Sequence, residues 1–290
     1  KHYIGGMGLA NKIMYDEVPA GTDPFAPENK IIFAVGPLTA SGVPLAGRTT
    51  IGTLSPITEG HLVIDAHCGG MIGARIKLAG YDAVVIEGKS ETPCYINVVD
   101  DAVEIKDASD VWGMGVRATT EALTRRESTR ACVATIGPAG ENLLPYSTIM
   151  NSRNHSAGAG CGAVMGSKNC KALVVEGNGS VQVADPQAVA ELSDYMLKEL
   201  IGSNNNHVVP STQQEWAEYY DESSRWTARK GLFWGAAEGG PVETGEPKPG
   251  ELNTIGYRCM KATKDLGAEA EPYTVKMGGC HGCPIHCHAD

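Results

Sequence analysis

The sequence lacks a long hydrophobic run: no stretch of about 18 consecutive apolar residues occurs in its 290 residues, so we expect no membrane span. It also lacks an excess of basic charge, since 24 Lys and Arg stand against 34 Asp and Glu, for a net charge of −10. A basic face for nucleic acid or for an anionic membrane is therefore not expected. With 42% hydrophobic and 20% charged residues, the composition is that of a soluble globular protein.

The cysteines lack the pattern of a disulfide framework. There are nine of them, an odd number, and six are scattered through apolar or glycine-rich stretches of a long chain. Disulfide frameworks belong to small secreted domains, so a reducing cytoplasm and one metal or cluster site fit better. The chain starts at Lys1 rather than Met, and we expect a fragment, so the absence of a leader peptide carries no information.

Two stretches of the sequence resemble each other at a fixed spacing. "GARIKLAGYDAVVIEG" (73–88) and "GAVMGSKNCKALVVEG" (162–177) both run from Gly-Ala to Glu-Gly, 89 residues apart. Upstream, "IIFAVGPLTASG" (31–42) resembles "CVATIGPAGEN" (132–142). The order favours an α+β fold with an internally duplicated, β-rich domain and pseudo-two-fold symmetry. The alternative is two ordinary α+β units that share common residues.

A glycine-rich turn precedes the predicted helix in each unit. The turns read "DAHCGGMIGA" (65–74) and "NHSAGAGCGA" (154–163). Such a turn before a helix start offers backbone N–H groups and a positive dipole end to an anion, usually a phosphate. Two symmetric turns predict a ligand with two similar phosphate-bearing halves. For either turn alone, the alternative is a tight turn that needs glycine only for positive φ.

Two other stretches carry weaker signals. "GMGVRA" (113–118) matches part of the dinucleotide-binding pattern, but no tight turn joins it to a preceding strand, so we interpret it as the entry to a surface helix. Residues 202–256 are polar and irregular, which is typical of a channel lining or of an interface with a further domain.

The sequence ends in "MGGCHGCPIHCHAD", in which three cysteines stand close together: Cys280, Cys283 and Cys287. Spacers of two and three residues let one loop reach three corners of a 4Fe-4S cluster, whose fourth ligand then comes from elsewhere. Tetrahedral zinc fits the spacing equally well, with a nitrogen from a neighbouring histidine. A C-x-x-C redox pair is the third reading.

As a set, six segments resemble the N-terminal domain of the aldehyde ferredoxin oxidoreductase family of tungsten enzymes. They are "FAPENKIIFAVGPLTASG", "LAGRTTIGTLSP", "GARIKLAGYDAVVIEGK", "DASDVWG", "IGPAGEN" and "GAVMGSKNCKALVVEG". The C-x2-C-x3-C run resembles the family's cluster motif. The resemblance implies a duplicated pterin-cofactor-binding domain over 1–180. It also implies that 181–290 begins a mostly helical domain that is truncated at the cluster motif.

The resemblance also implies cofactors and the residues that hold them. The cofactors are a bis-pterin tungsten group, or its molybdenum counterpart, a Mg²⁺ that bridges the pterin phosphates, and a 4Fe-4S cluster. Arg48 matches an arginine that contacts pterin phosphate, and the backbone carbonyls of His67 and Ser156 match the magnesium ligands. The matched cofactor-binding positions of the two turns are His67, Gly69, His155, Ser156 and Gly158; the cluster ligands are Cys280, Cys283 and Cys287.

The implied activity is oxidation of an aldehyde-type substrate, with electrons passing through the cluster to ferredoxin or a ferredoxin-like iron–sulfur subunit, in a homo- or hetero-oligomer. His67-Cys68 stands where the best-known members have Asn-Ser, which points to a bacterial branch. Two alternatives stay open: a reductive member acting on an aromatic acyl-CoA, and a non-catalytic iron–sulfur or zinc-stabilised module. The catalytic acid and base are expected beyond Asp290, so the fragment alone is expected to be inactive.

Overall fold

The computed structural model describes residues 2–152, 155–201, 277–278, 280–282 and 288–289. The chain divides into two compact units, the larger formed by Lys1–Ser193 with Cys280–Gly282 and the smaller by Asp194–Gly279 with Cys283–Asp290. Among the described residues, no helix is both long and apolar enough to cross a lipid bilayer.

The larger unit alternates strands and short helices. Its first part contains α1 (Gly6–Glu17), β1 (Ile31–Val35), β2 (Thr49–Leu54), β3 (Val63–Cys68), α2 (Ile72–Leu78) and β4 (Ala83–Ile86). Next come β5 (Cys94–Val99), β6 (Ala102–Asp107), α3 (Val116–Arg126), β7 (Cys132–Thr135), α4 (Pro138–Glu141), β8 (Ile149–Asn151), β9 (His155–Ala157), α5 (Cys161–Ser167) and β10 (Cys170–Glu176). Helix α6 (Pro186–Tyr195) follows.

The described parts of the smaller unit are short. They comprise a π-helical segment, Met196–Ile201, and two strands of two residues each, β11 (Met277–Gly278) and β12 (His288–Ala289). The two strands pair antiparallel, with Met277 opposite Ala289.

Two sheets make up the larger unit. The first has four antiparallel strands in the order β3-β2-β1-β4, and the second has six in the order β6-β5-β10-β7-β8-β9. In the second sheet, only the β5–β10 pair is parallel. The run β9-β8-β7-β10 follows the same order as β3-β2-β1-β4, with α2 before β4 and α5 before β10. The α+β class predicted from the sequence is confirmed.

One large apolar cluster is shared by both sheets. It contains alternate residues of β1 (Ile31, Phe33 and Val35) and of β10 (Leu173 and Val175), together with residues of α2 and α5. Full burial of each large apolar side chain contributes about 1.5–3 kcal/mol. This cluster is the main source of stability in the larger unit.

The central strands are buried on both faces. The remaining residues of β1, Ile32 and Ala34, pack against Ala10 and Met14 of α1. Ala172 and Val174 of β10 pack in the same way against Leu123 of α3. This explains why 31–35 in β1 and 172–175 in β10 are continuous apolar runs rather than alternating patterns.

Two helices follow their local sequence signals closely. Helix α3 begins after Gly115, so "GMGVRA" is the entry to a helix, as predicted. At the start of α6, Asp185 Oδ1 accepts a hydrogen bond from Ala188 N at 2.9 Å, which is the N-cap geometry expected of Asp. The polar stretch 202–256 lies outside the described residues.

Candidate functional site

The two glycine-rich turns follow strands that touch each other. β3 and β9 are the end strands of their respective sheets, and they are in contact. Gly69 comes directly after β3 and Gly158 directly after β9. A Cβ placed on Gly69 would lie 2.7 Å from His155 Cδ2. The structure therefore brings the first turn against the beginning of β9.

The two turns share a left-handed residue at one position. Gly70 has φ 83° and Ala159 has φ 56°, and each is one residue beyond the glycine that follows its strand. At the next position the turns differ, because Gly160 is left-handed as well and Met71 is not. The bend aims the chain from the strand into the helix, α2 in one case and α5 in the other. An alanine in this region is strained by roughly 1–2 kcal/mol, which glycine avoids.

The first turn is held by side chains from the second half of the unit. Asn151 Nδ2 donates to Gly69 O at 3.0 Å, and Met71 N donates to Ser152 Oγ at 3.1 Å. Sequence reasoning missed both residues as part of the site. No spacing signal marks them, because their partners lie 82 and 81 residues away along the chain.

Cys280 lies on the first turn. Its Sγ is 3.3 Å from His155 Nε2, and it occupies the place where a side chain of Gly69 would stand. The following backbone is fixed on both sides, since His281 N donates to Gly70 O at 3.1 Å and Leu45 N donates to Gly282 O at 3.3 Å. The structure thus brings together three of the predicted residues, which are Gly69, His155 and Cys280.

The remaining predicted cluster ligands, Cys283 and Cys287, lie outside the described residues. Among the described residues, no group of three or more His, Cys, Asp or Glu side chains is arranged to hold a metal ion. Cys280 is the one predicted cluster ligand among the described residues, and the predicted ligand set stays a prediction.

His67, Arg48 and Ser156 lie on the exposed side of the same region. His67 Nδ1 is 3.2 Å from Thr50 Oγ1 and its Nε2 is 3.2 Å from Asp65 Oδ2, with 45% of the side chain exposed. Arg48, just before β2, and Ser156, in β9, are exposed. These side chains are accessible to a ligand outside the sheet edge.

Cys68, at the end of β3, is a buried thiol rather than a ligand. Burial raises the pKa of Cys68 to about 12, and the neighbouring Cys161 and Cys132 add to the rise, while the Arg48 charge opposes it. Cys68 therefore stays protonated and neutral at physiological pH. This interaction places the guanidinium of Arg48 close to the end of β3.

The second turn differs from the first in two respects. No heavy atom of the described residues lies within 4 Å of a Cβ built on Gly158, so its open side can accept a ligand. The first amides of α5, however, are already bonded: Cys161 N to Gly158 O, Gly162 N to Ser147 O and Ala163 N to Gly160 O. This turn therefore has fewer backbone N–H groups to offer a phosphate than its glycines predict.

Known proteins share much of this sequence and fold. Residues 1–177 match the family model for the N-terminal domain of aldehyde ferredoxin oxidoreductase. The tungsten-containing aldehyde ferredoxin oxidoreductase of Pyrococcus furiosus is 48% identical over 190 residues, which cover 64% of this chain and 31% of that protein. A second Pyrococcus furiosus protein, the WOR-like subunit of aliphatic sulfonate oxidoreductase, is 33% identical over 305 aligned positions, covering 99% of this chain and 45% of that one.

A solved structure with the same fold is the active site complex BamBC of benzoyl coenzyme A reductase in complex with 1,5-dienoyl-CoA. The match has a TM-score of 0.74 and 33% sequence identity, and it covers 99% of this chain and 43% of that chain. The family model and these relatives define an oxidoreductase domain. The chain belongs to the aldehyde ferredoxin oxidoreductase family, and it spans less than half of the length of each of these relatives. Its assignment to a bacterial branch stays a prediction.

Proposed function

We propose that this chain is the pterin-binding part of a tungsten or molybdenum oxidoreductase that oxidises an aldehyde-type substrate. In this proposal, electrons leave through a 4Fe-4S cluster to ferredoxin or a ferredoxin-like subunit. One observation carries the proposal: Gly69, in the first turn, touches both Cys280 of the cluster motif and His155 beside the second turn. The residues expected at two cofactors are therefore neighbours.

We also propose that the larger unit is an internal duplication. The runs β3-β2-β1-β4 and β9-β8-β7-β10 have the same order and the same antiparallel pairing, and the two turns share a left-handed residue in the same place. Gly73 of α2 and Gly162 of α5 are 89 residues apart. Each packs closely against a threonine, which is Thr49 for Gly73 and Thr148 for Gly162. A pseudo-two-fold axis between β3 and β9 suits a ligand with two similar halves.

The residues present fit such a ligand. Gly158 leaves open space beside the backbone, and the exposed Arg48 supplies a positive charge for a phosphate. His67 and Ser156 lie in the end strands β3 and β9, where backbone carbonyls are available to a Mg²⁺. When bound, the metal–pterin group supplies the redox chemistry, while the protein supplies binding, orientation and exclusion of water.

A reductive activity on an aromatic acyl-CoA is the second candidate. It is favoured by the match to the benzoyl coenzyme A reductase complex, which covers 99% of this chain at 33% sequence identity. Both that complex and the WOR-like relative are named as parts of larger assemblies, which supports a hetero-oligomeric partner.

A dye assay on the full-length protein, with its cofactors loaded under anaerobic conditions, separates the two candidates. The proposal predicts that an aldehyde reduces an oxidised viologen, and that protein from tungstate- and molybdate-free medium does not support the reaction. If an aromatic acyl-CoA oxidises reduced viologen and aldehydes give no reaction, the result contradicts the proposal and supports the reductive candidate. If the metal-loaded protein reacts with neither substrate class, both candidates are contradicted.

A further inference from the structure

Two cysteines far from the glycine turns face each other on neighbouring strands. Cys94 begins β5 and Cys170 begins β10, and the two are paired at the start of this parallel ladder, just before a register shift between Cys170 and Ala172. Neighbouring strands lie about 4.8 Å apart. Disulfides form across Cα separations of about 4.4–6.8 Å. Both side chains belong to the shared apolar cluster, so they point to the same face of the sheet.

The backbone around the pair is tied together on both sides. Cys94 N donates to Asn169 O at 2.9 Å, and Ser90 N donates to Lys168 O at 3.0 Å. Asn169 Nδ2 donates a hydrogen bond to Ser90 O at 2.7 Å. The segment before β5 is therefore fastened to the segment before β10. These bonds hold the start of β5 beside the start of β10, so the backbones of Cys94 and Cys170 stay paired.

Cys94 differs in acidity from the other buried cysteines, including its partner Cys170. A hydrogen bond from the Cys170 thiol, with a further one from the Ser90 hydroxyl, lowers the pKa of Cys94 to about 7 although burial opposes it. The pKa of Cys170 is raised by its hydrogen bond with Cys94 and by burial. Burial also raises the pKa of Cys132, and raises that of Cys161 to about 12. One member of the pair is thus a thiolate near neutral pH, and its partner keeps a proton.

We propose that Cys94 and Cys170 form a redox-active dithiol, which hydrogen peroxide closes to a disulfide between β5 and β10. The Cys94 thiolate attacks one peroxide oxygen, so that an S–O bond forms while the O–O bond breaks and hydroxide leaves. Cys170 then attacks the Cys94 sulfur, forming the S–S bond and breaking the S–O bond. Its proton leaves with the oxygen as water. Overall, two thiols are oxidised and one peroxide is reduced to two waters.

Exposure sets which oxidants reach the pair. Cys94 is 9% exposed and Cys170 is 2% exposed, so Cys94 is the more accessible of the two, and this low exposure favours a small oxidant such as peroxide over a protein thiol. The disulfide would pin the β5–β6 hairpin to β10, the strand that this hairpin adjoins in the six-stranded sheet. The proposal is independent of the tungsten or molybdenum chemistry, since neither sulfur belongs to the site at the glycine turns.

Peptide mass mapping of the folded full-length protein tests the pair directly. The folded protein is first exposed to hydrogen peroxide at neutral pH. It is then denatured, and the remaining free thiols are blocked. Trypsin then releases peptides 90–106 and 169–171, each with one cysteine. We expect them to be recovered as one disulfide-linked species that a reductant separates, while Cys132 and Cys161 remain free thiols in the same sample. The linked fraction should form faster as the pH rises through about 7.

Two variants identify the order of events. Cys170→Ser removes the second sulfur, so Cys94 should accumulate as a sulfenic acid that a cyclic diketone traps. Cys94→Ser should leave Cys170 reduced under the same exposure. The proposal is overturned if wild-type protein yields no linked peptide at peroxide doses that oxidise an exposed control thiol, or if Cys132 and Cys161 oxidise as fast as Cys94.

Discussion

At Gly69, the backbone of the first turn runs so close to Cys280 and His155 that a side chain has no room. The glycine pattern identified this position from the sequence, but the reason is space rather than a left-handed φ. The left-handed residues are Gly70 in the first turn and Ala159 and Gly160 in the second. A sequence cannot separate these two demands for glycine, because the neighbours that fill the space come from distant parts of the chain.

Gly69→Ala should therefore displace Cys280 and weaken the cluster. The added methyl group competes with Cys280 Sγ and with His155 Cδ2, which lies 2.7 Å from its position. We expect the affinity for the iron–sulfur cluster to fall by about tenfold or more, as for other changes that support a metal ligand. Iron per chain and the visible absorption of the cluster, measured on the full-length protein, check this.

Gly158→Ala is the matched control for this change. Its methyl group meets no heavy atom of the described residues within 4 Å, so iron content should stay at the wild-type level. Equal iron content in the Gly69→Ala and wild-type proteins, with both folded, contradicts the placement of Cys280 on the first turn.

At the scale of the elements, local sequence patterns predicted the repeated strands and helices but not their sheet partners. The two similar sequence stretches, 73–88 and 162–177, correspond to the α2–β4 and α5–β10 segments. The sequence does not reveal that β5 and β6 extend the second sheet, nor that β5 pairs with β10 in parallel. Such pairing depends on packing between distant segments, which a local pattern does not encode.

A buried ion pair joins two of these elements. Glu141 at the end of α4 and Lys171 in β10 form a salt bridge with side chains that are 4% and 0% exposed. Lys171 Nζ also donates a hydrogen bond to Met114 O at 2.8 Å, and Glu141 Oε2 accepts one from Gly113 N at 2.9 Å. Burial lowers the pKa of Lys171, while the hydrogen bond and charge of Glu141 oppose that change. The pair therefore relies on both partners being present.

Glu141→Gln should lower the free energy of unfolding by about 3 kcal/mol, because it leaves a buried ammonium without its counter-charge. Adding Lys171→Met should recover much of the loss by removing the unpaired charge. Denaturant unfolding of the three proteins measures both effects.

An exposed ion pair provides the control for the buried one. Glu121→Gln removes the partner of Arg117 on α3, and we expect a loss below about 0.5 kcal/mol. If Glu141→Gln costs no more than Glu121→Gln, the buried pair is not a stabilising link between α4 and β10.

At the scale of the whole larger unit, the two sheets share one large apolar cluster and bring their end strands β3 and β9 together. The sequence was sufficient to predict the α+β class, the two turns and the family. It was insufficient to find Asn151 and Ser152, which hold the first turn through bonds that span most of the unit. The site is assembled by the fold, and the repeated sequence marks only its most regular parts.

The most direct test of the account is the metal content of the purified full-length protein. Twin turns that hold a metal–pterin group beside an iron–sulfur cluster require tungsten or molybdenum together with about four irons per chain. Elemental analysis by mass spectrometry after anaerobic purification should give that ratio. Zinc as the sole bound metal, with neither tungsten nor molybdenum above background, contradicts the account.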